Sequence, residues 1–174
     1  MGKFLSILIL TAALIGGGAM YYLQVYGYYD QIDASGPDDV LAVTLASGLP
    51  EPMPHAAFQA IDSDSSPIRY RACFRTSLTP DEIAATYQPY PRAVPLLAPK
   101  WFDCFDAREI GAALEDGSAQ AVMGVENIRY GIDRVIAVMP DGRGFVWHQI
   151  NRCGAVVFDG QPAPDDCPPP PEGN

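Results

Sequence analysis

"GIDRVIAVMPDGRGFVWHQINRCG", Gly131 to Gly154, decides how this chain folds. Its centre, "MPDGR" (139–143), carries hairpin-turn chemistry. Pro140 fixes φ, Asp141 follows, and Gly142 can take the left-handed position of a three-residue loop. Setting Met139 opposite Arg143 fixes the register outward as 138:144, 137:145, 136:146, 135:147, 134:148, 133:149 and 132:150. One face then holds Val135, Ala137, Met139, Phe145 and Trp147. The other holds Ile132, Ile136, Val138, Val146 and Ile150, with Arg134 opposite His148. Two apolar faces mean a central hairpin covered on both sides. Burial and a neighbouring cation both favour neutral imidazole at His148. A neutral histidine can act as a base, but Asp133, its neighbour in that register, points to the opposite face. No catalytic residue is assigned, and His148 is expected to be structural, with ligand contact as the alternative.

The flanking sequence supplies the rest of a sheet. "SAQAVMGVEN" (118–127) and "RYGIDRVIAVM" (129–139) read as strands, and "AVVF" (155–158) as a short final one. "IRYRACFRT" (68–76) alternates, with Ile68, Tyr70, Ala72 and Phe74 toward the core. Arg69, Arg71, Cys73 and Arg75 take its other side. "TPDEIAATY" (79–87) starts a helix with Thr79 as N-cap, Pro80 in the first turn and Glu82 closing a capping box. "DAREIGAALEDG" (106–117) repeats this with Asp106, Glu109 and a terminal Gly117, burying Ile110, Ala113 and Leu114. Prolines 89, 91, 95 and 99 exclude regular structure between the two helices. Earlier, "DDVLAVTL" (38–45) reads as a short strand, "SGLPEPMPHAA" (47–57) as irregular and "DSDSSP" (62–67) as a turn. The expected class is α+β: a mostly antiparallel sheet with two short helices on one face, after one N-terminal transmembrane helix.

That first helix is read from "MGKFLSILILTAALIGGGAMYYLQVYGYYD". Phe4 to Val25 carries no charge, and about 22 residues suffice to cross a hydrocarbon core of about 30 Å. Lys3 is a weak cue for a cytoplasmic N-terminus. Tyr21, Tyr22, Tyr26, Tyr28 and Tyr29 form an aromatic belt at the far interface. The competing reading is a signal peptide cut after Ala19. Apolar character continues past that point, which favours an uncleaved signal-anchor. The resulting organisation is an anchor (1–29), a stalk and irregular segment (30–66), an α+β domain (67–160) and a Pro-rich tail (161–174), disordered after Cys167.

Cys73, Cys104, Cys153 and Cys167 all lie beyond the anchor, and none forms a Cys-x-x-Cys pair. An even set on an exported domain reads as two disulfides. Of three connectivities, Cys73–Cys104 with Cys153–Cys167 gives the shorter loops. The net charge of −10 makes the chain a poor ligand for nucleic acid, whose binding rests on neutralised phosphates. Nine Arg and two Lys face 21 acids, so most arginines are expected in ion pairs. Two histidines, His55 and His148, are too few for a histidine-based metal site. The "DSDSSP" segment has Pro67 where a calcium loop needs its turn glycine. No P-loop, dinucleotide fingerprint or nucleophile elbow occurs, and no cofactor is expected.

The candidate ligand contacts are Arg69, Arg71 and Arg75, as one stripe on a strand, together with Arg134 and His148. They suit a small anionic ligand or an acidic partner. "WFDCFDA" (101–107), "ENIRYGIDRVIAVMPDGRG" (126–144), "WHQINRCG" (147–154) and "MYYLQVYGYYD" (20–30) resemble an uncharacterised family of short single-span membrane-anchored proteins of alphaproteobacteria. The resemblance covers most of the chain and implies a bacterial envelope location, with no activity attached. The function expected is a non-enzymatic module on the periplasmic side of the inner membrane, binding an envelope protein or a small anion. The alternatives are an envelope hydrolase or transferase with a site near His148, and a structural subunit of a membrane complex that packs through "GGG" (16–18).

Overall fold

The computed structural model describes residues 2–171. Helix α1 (Gly2–Tyr22) continues through one π-helical turn, Leu23–Gly27. It is apolar all round, and none of its residues is buried against the domain. Over Gly2–Gly27 the chain has the length and composition to cross a membrane, and a signal sequence would share both features.

The domain is built on a six-stranded antiparallel sheet in the order β1-β4-β5-β8-β7-β6. These strands are β1 (Asp30–Ile32), β4 (Ala56–Asp62), β5 (Arg71–Arg75), β6 (Gln120–Arg129), β7 (Ile132–Val138) and β8 (Arg143–Ile150). The β7–β8 register is the one derived from the turn, from Val138 opposite Gly144 to Ile132 opposite Ile150. Met139 N–H bonds the Arg143 carbonyl at 2.8 Å, and Gly142 has φ of 80°.

The sheet buries both faces. Tyr70, Ala72, Phe74, Ile136, Val138 and Val146 pack on one side with Ile83 of α2 (Pro80–Thr86). Phe145, Trp147, Val135 and Ala137 pack on the other with Ile110 of α3 (Ala107–Glu115). The two helices therefore lie on opposite faces, which corrects the expectation of one shared face. Two helices on one side would have left the other apolar face in water. A hairpin of β2 (Leu41–Val43) and β3 (Pro50–Pro52) joins the β6 side through the segment Tyr87–Tyr90. Met123 N–H bonds the Gln88 carbonyl and Gln88 N–H bonds the Val43 carbonyl, each at 2.8 Å. The outer edge of β6 is thereby covered rather than left open to pairing.

Three further expectations are corrected. Residues 30–66 are not a stalk: they contribute β1 and β4 to the sheet and the whole β2–β3 hairpin. "AVVF" is not a strand but part of α4 (Arg152–Phe158), whose N-cap Asn151 accepts from Gly154 N–H. Asp106 caps α3 through Arg108 N–H and Glu109 N–H, but the Glu109 carboxylate does not close a box. It pairs instead with Arg143, at 2.7 Å. The box at Thr79 and Glu82 forms as expected. The disulfides are Cys73–Cys104 and Cys153–Cys167. The disorder expected of the tail concerns in part residues 172–174, which lie outside the described residues.

Candidate functional site

The cross-strand position of Arg134 and His148 creates a compact stack. Arg134 Nε–H donates to His148 Nε2 at 3.1 Å. Because that nitrogen accepts, the ring proton sits on Nδ1, which donates to the Pro67 carbonyl at 2.7 Å. Tyr70 lies against the imidazole with ring centroids 4.8 Å apart. The Arg134 guanidinium covers the same tyrosine ring at 4.3 Å. His148 is only 6% exposed. Burial pushes its pKa down to about 4; the Pro67 bond opposes this and the Arg134 charge adds to it. Burial likewise raises the Tyr70 phenol. At neutral pH the imidazole is uncharged and both its nitrogens are engaged within the protein. Its chemistry is that of a packed, satisfied polar group.

The arginine stripe separates into three environments. Arg71 is 4% exposed and is spent on backbone carbonyls. Its Nε–H donates to Leu96, its Nη1 to Ile68 and Tyr70, and its Nη2 to Leu97, at 2.6–3.0 Å. Burial lowers its pKa to about 10, still far above neutrality. Arg69 lies over the Tyr29 ring at 5.5 Å. Arg75 is exposed and reaches the Asp141 carbonyl at 3.5 Å. Ion pairing, the expectation for most arginines, accounts for two among the described residues. These pairs join Arg143 to Glu109 and Asp141, and Arg152 to Asp166. Carbonyls and aromatic faces take Arg71, Arg69 and Arg134 instead, which suits the weakly hydrated, planar guanidinium.

A polar centre that the sequence did not disclose lies at the far end of β7. Asp133 is buried, and its Oδ1 accepts from Asn127 N–H at 2.9 Å and Asn151 Nδ2 at 2.8 Å. Its Oδ2 accepts from the Tyr90 hydroxyl at 3.1 Å. Burial and the Asp133 carboxylate together push the Tyr90 phenol far up. Asn127 holds a left-handed φ of 46°, and its Oδ1 accepts from Gly131 N–H and Asn151 Nδ2. This network forms the floor of an open recess of about 640 Å³. Arg92, Glu126, Arg152 and Asp166 stand at its rim, and the chain around the Cys153–Cys167 bridge makes one wall. Asn151 was the available signal: an asparagine three residues before Gly154 reads as a helix cap.

The domain also contacts its own apolar helix. Trp101 Nε1–H donates to the Val25 carbonyl at 2.6 Å. The indole stacks on Tyr26 and meets Tyr29 edge-on, with centroids 6.3 and 6.0 Å apart. Among the described residues, no cluster of three or more His, Cys, Asp or Glu is placed to hold a metal ion. His55 is tied to the Met53 carbonyl through Nδ1 at 2.8 Å.

These features define a doubly cross-linked α+β domain carried on an N-terminal apolar helix. The chain belongs to a family of unknown function, DUF6446, whose profile matches residues 40–168. The match takes in both disulfides and every strand except β1. No curated protein and no solved structure matches the chain.

Proposed function

We propose that the protein is a single-span module of the bacterial inner membrane whose periplasmic domain binds an envelope partner protein at the recess above Asp133. The observation that carries this reading is the construction of that recess. Its floor is rigid because the Asp133, Asn127, Asn151 and Tyr90 side chains are bonded to one another or to neighbouring backbone. Its rim places two arginines and two acids in solvent, a mixed-charge border suited to a complementary polar surface. The Cys153–Cys167 bridge holds the wall in place, so little ordering entropy is spent on binding. Both disulfides agree with an oxidising compartment, and α1 agrees with an anchor.

The test is site-specific photo-crosslinking in a bacterial host that makes the full chain. A benzophenone amino acid replaces Arg92 at the rim or Asp81 on α2, both exposed. The reading expects one discrete adduct from position 92 and none of that mass from position 81. No adduct at 92, or identical adducts at both positions, overturns it.

A further inference from the structure

The loop between α2 and α3 carries an exposure pattern of its own. Val94, Leu97 and Lys100 are exposed, while residues 95, 96, 98 and 99 are partly covered. A three-residue period is that of polyproline II, and Pro95 and Pro99 favour it. Leu97 is 74% exposed although its backbone is firmly held. Arg71 binds the Leu96 and Leu97 carbonyls from inside the domain, at 2.9 and 3.0 Å. Trp101 binds Val25, and Cys104 is bridged to Cys73 on β5. The apolar side chain of Leu97 is thus presented outward on a clamped loop.

The position of this loop along α1 says what it meets. Phe4 to Leu23 rises about 30 Å, one hydrocarbon thickness, so Val25 stands about 3 Å beyond it. Leu97 and Lys100 share a recess of about 510 Å³ with Tyr21, Gln24 and Tyr26 at that end of the helix. We propose that Leu97–Trp101 is a second membrane contact, seated in the headgroup layer of the bilayer that holds α1. Leu97 enters the acyl boundary, Trp101 and the tyrosines occupy the interface, and Lys100 extends its ammonium to lipid phosphates. Lys100 is the sole lysine outside the N-terminal Lys3 in a chain of net charge −10, and it stands where an anionic leaflet would lie. Aliphatic, aromatic and lysine side chains at one level are the composition of a membrane interface, where lysine stems snorkel. A bilayer is favoured over a protein occupant because the contact is continuous with the anchor itself. This inference rests on the membrane-anchored reading.

The test uses the full chain reconstituted in vesicles of phosphatidylethanolamine and phosphatidylglycerol. A nitroxide label is placed at Leu97→Cys or, as the control on α2, at Asp81→Cys. Flotation is scored first, then label relaxation by oxygen and by a water-soluble nickel complex. The expected result is a floating chain whose label at 97 is relaxed more by oxygen, while the label at 81 is relaxed more by nickel. A floating chain with nickel-dominated relaxation at both positions overturns the loop contact alone. So does a label at 97 shielded from both reagents, which would mean burial in protein. A chain that does not float overturns the anchor and the contact together.

Discussion

Lowering the pH should weaken this domain through one residue. His148 is neutral in the fold, with a pKa near 4, whereas an ordinary histidine titrates at 6.5. Between those values the unfolded chain holds a proton that the native state excludes. Stability therefore rises with pH across the window and is lost as pH falls from about 6.5 toward 4. Each pH unit costs up to about 1.4 kcal/mol, so the full window costs about 3 kcal/mol. That is a large part of the total for a domain of ordinary stability, about 5–15 kcal/mol. The charge would appear beside Arg134, with Arg71 and Arg129 also contributing, against Tyr70 and with only the Pro67 carbonyl in favour. Carboxylates titrate in the same range. Asp62 is raised by burial, while Asp141 is lowered by its bonds to Arg143 and Glu109 by its bond to that arginine, so wild type alone is insufficient. The assay is urea unfolding at pH 7, 6, 5 and 4 for wild type and His148→Asn, which does not titrate and retains an amide donor toward Pro67. The difference between the two should shrink by about 3 kcal/mol from pH 7 to 4. Parallel curves would mean that His148 is protonated in the fold or open to water, and the packed reading of the stack would fail.

Three other perturbations probe the frame. Arg71→Met removes four charge-assisted bonds to carbonyls, at about 1.5 kcal/mol or more each, together with the desolvation cost of the buried cation, and should cost about 4 kcal/mol net by urea midpoint. A loss below about 1 kcal/mol would show that the Leu96–Leu97 clamp contributes little. Replacing Cys73 and Cys104 together by alanine opens a loop of sequence separation 31 and should cost about 4 kcal/mol in the same assay, whereas reducing wild type opens the Cys153–Cys167 loop of separation 14 as well and should cost about 3 kcal/mol more. Gly154→Ala drives a methyl into the Gly131 carbonyl where α4 meets the β6–β7 turn. It should cost about 2–3 kcal/mol, seen as a lowered Tm, while Gly160→Ala, with no atom near its missing Cβ and only its left-handed φ of 76° to oppose the methyl, should cost less, about 1 kcal/mol.

How much of this was legible follows from which forces are local. The β7–β8 register was readable because Pro140, Asp141 and Gly142 fix a turn and the period of two does the rest. The disulfide pairing followed from loop length, and the caps at Thr79 and Asp106 from short-range hydrogen bonding. Strand β4 was hidden because Ala57 takes a left-handed φ of 52° and the register slips between Ala56 and Gln59. That irregularity breaks the alternation on which strand reading depends. "AVVF" has β-branched residues, yet the Asn151 cap and the close approach of Gly154 to Gly131 make it helical. Tertiary packing overrides propensity there. Arg71 alternated correctly, away from Tyr70 and Ala72, but that side of β5 is covered too. A covered second face cannot be inferred from one strand. The Asp133 centre joins residues 90, 127, 133 and 151, which no sequence spacing connects.

The proposed function requires the domain to stand on the outer side of the inner membrane, tethered by α1. Its most direct test is protease accessibility of a C-terminal tag on washed spheroplasts that express the full chain. On the proposed topology the tag sediments with the spheroplasts and is lost to external protease before lysis. A tag protected until lysis, or released into the wash, would contradict it.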